Sequence, residues 1–226
     1  MTLFAWQRFQ KKREQVLYNC SEFDRKNDEW VPFPIGMSWQ IVNYQDSLDT
    51  AFMGTHENLV FCAISDHTDQ RRRGSQPINR RSILATLAKN GIQNVHADSD
   101  SYFHLLPTYK FVISPEGNGI DCHRHYEALM AGCIPIVEDY PNMREKYGNC
   151  PILYTKDYSE ITPSYLATKY IEMVGQVWDF SNLCMDTFDR ATQRQIQLNG
   201  NYWGGQIARK PWYLSILPEE KKDANV

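Results

Sequence analysis

From residue 58 onward short apolar runs alternate with stretches of helical spacing, and a chain with that alternation has few folds open to it. Asn58 to Ile64 reads as a first strand, Arg80 to Asn90 as a helix stopped by Gly91, and Ile92 to His96 as a second strand. Lys110 to Ser114 is a third strand, followed by a glycine-containing loop and a helix from Cys122 to Ala131 that ends at Gly132. Ile134 to Glu138 and Pro151 to Tyr154 supply a fourth and a fifth strand. Thr162 before Pro163 opens a helix that runs to about Val174, with threonine capping and proline in the first turn. A last helix, opened by Asp179 or Ser181, is expected over Asn182 to Gln197. The expected class is α/β, a parallel sheet of about five strands with helices on both faces.

The first 56 residues do not follow this pattern. Trp6, Phe9, Arg13, Val16 and Leu17 fall at helical spacing, predicting a basic amphipathic helix over residues 6 to 17 that packs on a core. Residues 19 to 56 are aromatic and irregular, and Trp30 to Gly36 has too many breakers for a helix. The expected division is therefore a docked N-terminal segment, 1–56, and a sheet domain, 57–226.

With 24 Lys plus Arg against 27 Asp plus Glu, nothing global draws the chain to nucleic acid or to an anionic membrane. No run is long and apolar enough to span a bilayer, and Met1 to Arg13 lacks the apolar core of a secretion signal, so the expected location is cytoplasmic. The six cysteines show no CxxC spacing and read as free, mostly buried thiols.

In an open parallel sheet, ligands bind beyond the carboxyl ends of the strands, near the point where strand order reverses. That rule selects the loops at 65–74, 97–100 and 114–121. In the last, Gly117 and Gly119 let backbone N–H groups approach a ligand, and the following helix offers its positive end to a phosphate. Arg124 and Glu127 are three residues apart on that helix, so both can project from one face. A carboxylate there can accept from two ribose hydroxyls and a guanidinium can hold a diphosphate. The alternative is a surface ion pair between the two.

The stretch from Lys110 to Val137, KFVISPEGNGIDCHRHYEALMAGCIPIV, resembles the nucleotide-sugar-binding motif of exostosin-like glycosyltransferases. The resemblance extends more loosely from Pro34-Ile35-Gly36 to Phe188. It implies the Rossmann-like, donor-binding half of a GT-B fold, with no metal and no cofactor beyond the nucleoside diphosphate sugar itself. By that resemblance Glu127 holds the ribose, Arg124 and the backbone at Gly117 and Gly119 hold the diphosphate, and Glu116 or Asp121 meets the transferred sugar. Arg71, Arg72 and Arg73 lie across the same cleft, and Ser114, Pro115, Asn118 and His123 complete the donor set. The implied partners are the nucleotide-sugar donor and a carbohydrate or glycoprotein glycan acceptor.

About 55 residues precede the first strand, where a second Rossmann half takes roughly 100 or more. The acceptor half is expected to be reduced, or completed by a partner chain. Asp46, Asp49 and Asp66 are candidate bases by position and charge alone. A non-catalytic nucleotide-sugar or glycan-binding subunit is the alternative from another class. Asp98-Ser99-Asp100 offers a further one, a metal-dependent GT-A transferase with a DxD motif, although Asp98 or Ser99 equally suits a helix cap.

Overall fold

A computed structural model describes residues 17–19, 30–32, 36, 38, 40, 44, 53–184 and 187–191. The chain forms two compact units. In the first, Leu17–Asn19 (β1) pairs in parallel with Trp30–Pro32 (β2), Leu17 opposite Trp30. The helix expected over residues 6 to 17 lies outside the described residues except for Leu17, which is in β1. Apart from Cys184, which falls in the first unit, all else described below belongs to the second unit, which holds residues 34–183.

Four parallel strands form its sheet in sequence order: Asn58–Phe61 (β3), Tyr109–Ile113 (β4), Ile134–Glu138 (β5) and Leu153–Thr155 (β6). The helices are Gln70–Arg73 (α1), Arg80–Lys89 (α2), Ser99–Leu105 (α3), His123–Met130 (α4), Pro141–Tyr147 (α5) and Pro163–Val174 (α6). Successive side chains of a strand point to opposite faces, and the core divides accordingly. Phe111, Ile113, Ile134 and Ile136 pack with Ile83 and Leu87 of α2 and with Leu166, Tyr170 and Met173 of α6. On the other face Val112 packs with Tyr102 and Phe103 of α3 and Ala128 of α4, and Val137 with Met143 and Tyr147 of α5.

Pro135 stands inside β5, between two paired neighbours, where a missing N–H normally breaks a ladder. Ser114 N donates to Ile136 O at 3.0 Å, so the even residues of β5 turn their polar groups to β4 and Pro135 turns toward β6. Pairing with β6 begins only at Ile136 opposite Leu153. The missing donor falls where no strand yet stands.

Ile92 to His96 is not a strand, contrary to expectation. Gly91 takes φ +84°, and one backbone bond, Val95 N to Cys62 O at 2.8 Å, joins the segment to the end of β3. The rest is done by a side chain. Asn94 Oδ1 accepts from Ile64 N at 2.9 Å and Asn94 Nδ2 donates to Ile64 O at 3.0 Å. The amide thus copies a ladder pair. By the alternation that turns Ser114 to β5, the odd residues of β4 and β3 face each other, so Cys62 and Ile64 face the opposite edge. The segment therefore borders β3 on the edge away from β4, and the chain passes from there to β4 on the other side of β3. The ligand crevice of such a sheet lies beyond their carboxyl ends.

Asn94→Ala should destabilise the protein by about 1 to 3 kcal/mol, because Ile64 is buried and its N–H and C=O lose their partners together. Urea denaturation checks this, and a change within about 0.5 kcal/mol would mean that the amide only decorates the edge.

Candidate functional site

Arg80, the first residue of α2, fixes the two loops that bound this crevice. The helix begins there because Asn79 and Ser82 form a reciprocal capping box. The guanidinium is buried and donates from Nε to Glu116 O at 2.8 Å, from Nη1 to Ser65 O at 3.1 Å and from Nη2 to Pro115 O at 3.0 Å. One side chain thus ties the loop after β3 to the loop after β4. Gly117 is needed for space: a Cβ there would meet Arg80 Nη2 at 3.2 Å, Thr68 Cγ2 at 3.3 Å and Cys122 Sγ at 3.4 Å. Its N–H donates to Gly119 O at 2.9 Å. It is therefore committed within the loop, and is not a free donor of the kind expected for a phosphate. Gly119 is buried beside it and Asn118 is exposed.

Beneath the loop lies a buried set of charges. The Glu116 side chain is wholly enclosed, and its two oxygens meet Arg72 Nη2 and Arg73 Nη1. Arg73 is 2% exposed. It donates from Nε to Asp69 Oδ2 at 2.9 Å and from Nη1 to Glu138 Oε1 at 3.0 Å. Glu138 Oε2 accepts from the Glu116 backbone N at 3.0 Å and from Tyr158 Oη at 3.3 Å, and Tyr140 Oη donates to Glu116 Oε1 at 3.2 Å. Asp69 Oδ2 also accepts from Arg80 N at 2.8 Å. Three arginines, Arg72, Arg73 and Arg80, thus balance three carboxylates, Asp69, Glu116 and Glu138. Buried charges persist only when paired in this way.

Asp121 is enclosed as well. Its carboxylate accepts from Lys146 Nζ at 2.9 Å, Tyr126 Oη at 2.7 Å and Tyr147 Oη at 2.7 Å, with His125 Nδ1 at 3.3 Å. Burial would raise its pKa, but Lys146 and His125 outweigh that and hold the carboxyl below the usual range. His125 Nε2 lies 2.9 Å from Ser114 O, which locks the start of α4 to the end of β4. Glu116 and Asp121, expected to meet a sugar, both have their carboxylates turned to protein partners. Of the candidate base Asp66, about half the side chain is exposed on the loop after β3. The hydrogen bond from His67 at 2.8 Å holds its pKa below the ordinary value; burial opposes this less strongly, and the charge of Arg81 adds a smaller lowering.

Arg124 and Glu127 do project together, one turn apart on α4, and both flank Tyr102 of α3. The Arg124 guanidinium carbon sits 5.5 Å from the Tyr102 ring centre, and its Nε is buried without a hydrogen-bond partner. Glu127 is 6% exposed and accepts from Ser38 Oγ at 2.7 Å on Oε1. The two make no ion pair with each other, so the alternative of a surface pair fails. His123 is exposed at the start of α4, with Nδ1 2.6 Å from Gly36 O. Ser114 Oγ is a second buried atom without a partner, and Pro115 gives its carbonyl to Arg80.

The DxD carboxylates have other work. Asp98 Oδ1 accepts from Ser101 N at 2.8 Å as the N-cap of α3, and Asp100 accepts from Tyr44 Oη at 2.8 Å. Cys62, Cys122, Cys133, Cys150 and Cys184 are free. Burial pushes the Cys62 thiol up to about 12 and the Cys122 thiol up to about 11, which keeps both protonated near neutrality. Asp46 and Asp49 lie outside the described residues, and Arg71 is exposed. Sequence reasoning missed Ser38 and Glu138 as parts of this region, and the tying roles of Asp69 and Arg80 within it. Arg80 opens α2 directly after the capping Asn79, and that placement was the available signal.

A four-strand parallel sheet with helices on both faces is the architecture of a Rossmann-like α/β domain. Residues 74–169 match the family model described as the RXYLT1 C-terminal domain. That family is exostosin-like, and the matched span contains residues 110–137, the stretch that resembles the exostosin-like glycosyltransferases. The matched span includes Arg80, Glu116, Arg124 and Glu127 and stops short of Arg72, Arg73 and Asp66. No curated protein matches the sequence significantly. Among the described residues no helix is long and apolar enough to cross a membrane.

Proposed function

We propose that the protein is a glycosyltransferase that binds a nucleoside diphosphate sugar in the crevice beyond β3 and β4 and passes the sugar to a carbohydrate acceptor. The observation that carries this reading is the pair on α4: a buried guanidinium nitrogen without a partner, one turn from a nearly buried carboxylate, with no bond between them. Arg124 takes the diphosphate and Glu127 the ribose, as in the GT-B donor half that the resemblance implies. Leaving-group charge is stabilised by Arg124, by the positive end of α4 and by Arg72, the arginine of the buried set with the more exposed side chain, 9% against 2% for Arg73. The diphosphate is then neutralised without a metal ion. Glu116 serves the donor through the arginines it holds, Asp121 fixes the helix that carries Arg124 and Glu127, and the exposed Asp66 is the candidate base.

Titration with ribo and 2′-deoxyribo nucleoside diphosphates tests the ribose assignment. Wild type should bind the deoxy analogue more weakly by about 1 to 3 kcal/mol, and Glu127→Ala should erase most of that difference. An equal loss for both ligands would make Glu127 a purely structural carboxylate. Hydrolysis of the donor sugar, and its transfer in the presence of chelator, separate a metal-independent transferase from a subunit that only binds.

A further inference from the structure

Two contacts, one helical turn apart, seat Gly36 and Ser38 on the face of α4 that carries Glu127. Gly36 adopts φ +73°, a left-handed backbone that a side chain rarely takes. The Gly36 carbonyl oxygen lies 2.6 Å from His123 Nδ1, which fixes that ring nitrogen as the donor. Two residues on, Ser38 Oγ donates to Glu127 Oε1 at 2.7 Å across 89 positions of sequence. His123 and Glu127 are four apart and so lie on one face of the helix.

A glutamate carboxylate turns easily about its last torsion, which is broad rather than staggered. A nearly buried one that must receive a flat pair of ribose hydroxyls gains from being held in one orientation. A hydroxyl bonded to one oxygen does this and leaves the lone pairs of the other oxygen to the ligand. We infer that Ser38 is a positioning residue for nucleoside diphosphate recognition, orienting Glu127 so that Oε2 meets the ribose. This rests on the assignment of Glu127 to the ribose made above. Ser38 serves as a fixed strut for the carboxylate, and the ligand does not displace it.

The test is titration calorimetry of Ser38→Ala, Ser38→Thr and Glu127→Ala with ribo, 2′-deoxy and 3′-deoxy nucleoside diphosphates. Ser38→Ala should weaken the ribo ligand by roughly threefold to tenfold and the deoxy ligands less, so that discrimination between them shrinks. Ser38→Thr keeps the hydroxyl and should restore it. Tighter binding by Ser38→Ala would make Ser38 a competitor of the ligand, and an equal loss for all three ligands would make it a structural contact. An unchanged profile would remove it from recognition. Each of these overturns the inference while leaving Glu127 in place. Loss of discrimination must also be seen in Glu127→Ala; if it is not, the ribose assignment itself fails and takes the role of Ser38 with it.

Discussion

Arg73→Met should lower the stability of the protein by about 3 to 5 kcal/mol, the usual penalty for removing one partner from a buried ion pair. For a chain of this size that corresponds to a fall in melting temperature of roughly 6 to 20 °C. Arg73 touches three carboxylates, Asp69, Glu116 and Glu138. Methionine fills much of the same volume and supplies none of the charge, so the three acids are left facing Arg72 and Arg80 alone. Their excess negative charge has no water to turn to, since Glu116 is 0% and Asp69 2% exposed. The double variant Arg73→Met, Glu116→Gln should recover part of the loss, because the second change removes one of the unbalanced charges. Thermal and urea denaturation of the single and double variants measure both effects. A single variant within about 1 kcal/mol of wild type would show that Arg73 is not needed to balance these acids.

That balance also explains why part of the site was hidden in the sequence while much of the fold was not. β5 follows its apolar run from end to end, Ile134 to Glu138, and α6 begins where Thr162 and Pro163 say it should, with Thr162 Oγ1 accepting from Tyr165 N at 3.2 Å. These elements are set by neighbours a few residues away. α3 and α5 are only seven residues each, too short for periodicity to show. Their punctuation was present, in the Asp98 cap and in Pro141 followed by Gly148 at φ +54°.

The partners of Glu116 and Glu127 were not legible, because nothing local selects them. Arg73 meets Glu138 across 65 positions and Ser38 meets Glu127 across 89. Sequence spacing correctly put Arg124 and Glu127 on one face. It had no means of telling a carboxylate bonded to a serine hydroxyl from one paired with arginines. The same limit applies to Asn94, whose side chain replaces a strand with two hydrogen bonds that no hydrophobic pattern encodes.

Arg124→Ala should weaken binding of a nucleoside diphosphate by about ten- to a hundredfold while changing the affinity for the bare nucleoside little. The reason is the chemistry of its nitrogen atoms. Nε is buried without an acceptor, a state that leaves a polar group short of a hydrogen bond and that a phosphate oxygen would relieve. The guanidinium stands 5.5 Å from the centre of the Tyr102 ring, which limits how far it can swing to find another partner. Arg124→Lys is the sharper control, because it keeps one positive charge but replaces a planar fork of donors by a single ammonium. If point charge alone mattered, lysine would restore most of the affinity. If Nε and its neighbours act as a fork on two phosphate oxygens, lysine should recover only a small part. Calorimetric titration of the three proteins with nucleoside, nucleoside monophosphate and nucleoside diphosphate separates these outcomes, and melting temperatures without ligand show whether the Tyr102 contact also supports the fold. Equal losses for nucleoside and diphosphate would move Arg124 away from the phosphates, and with it the diphosphate end of the donor site.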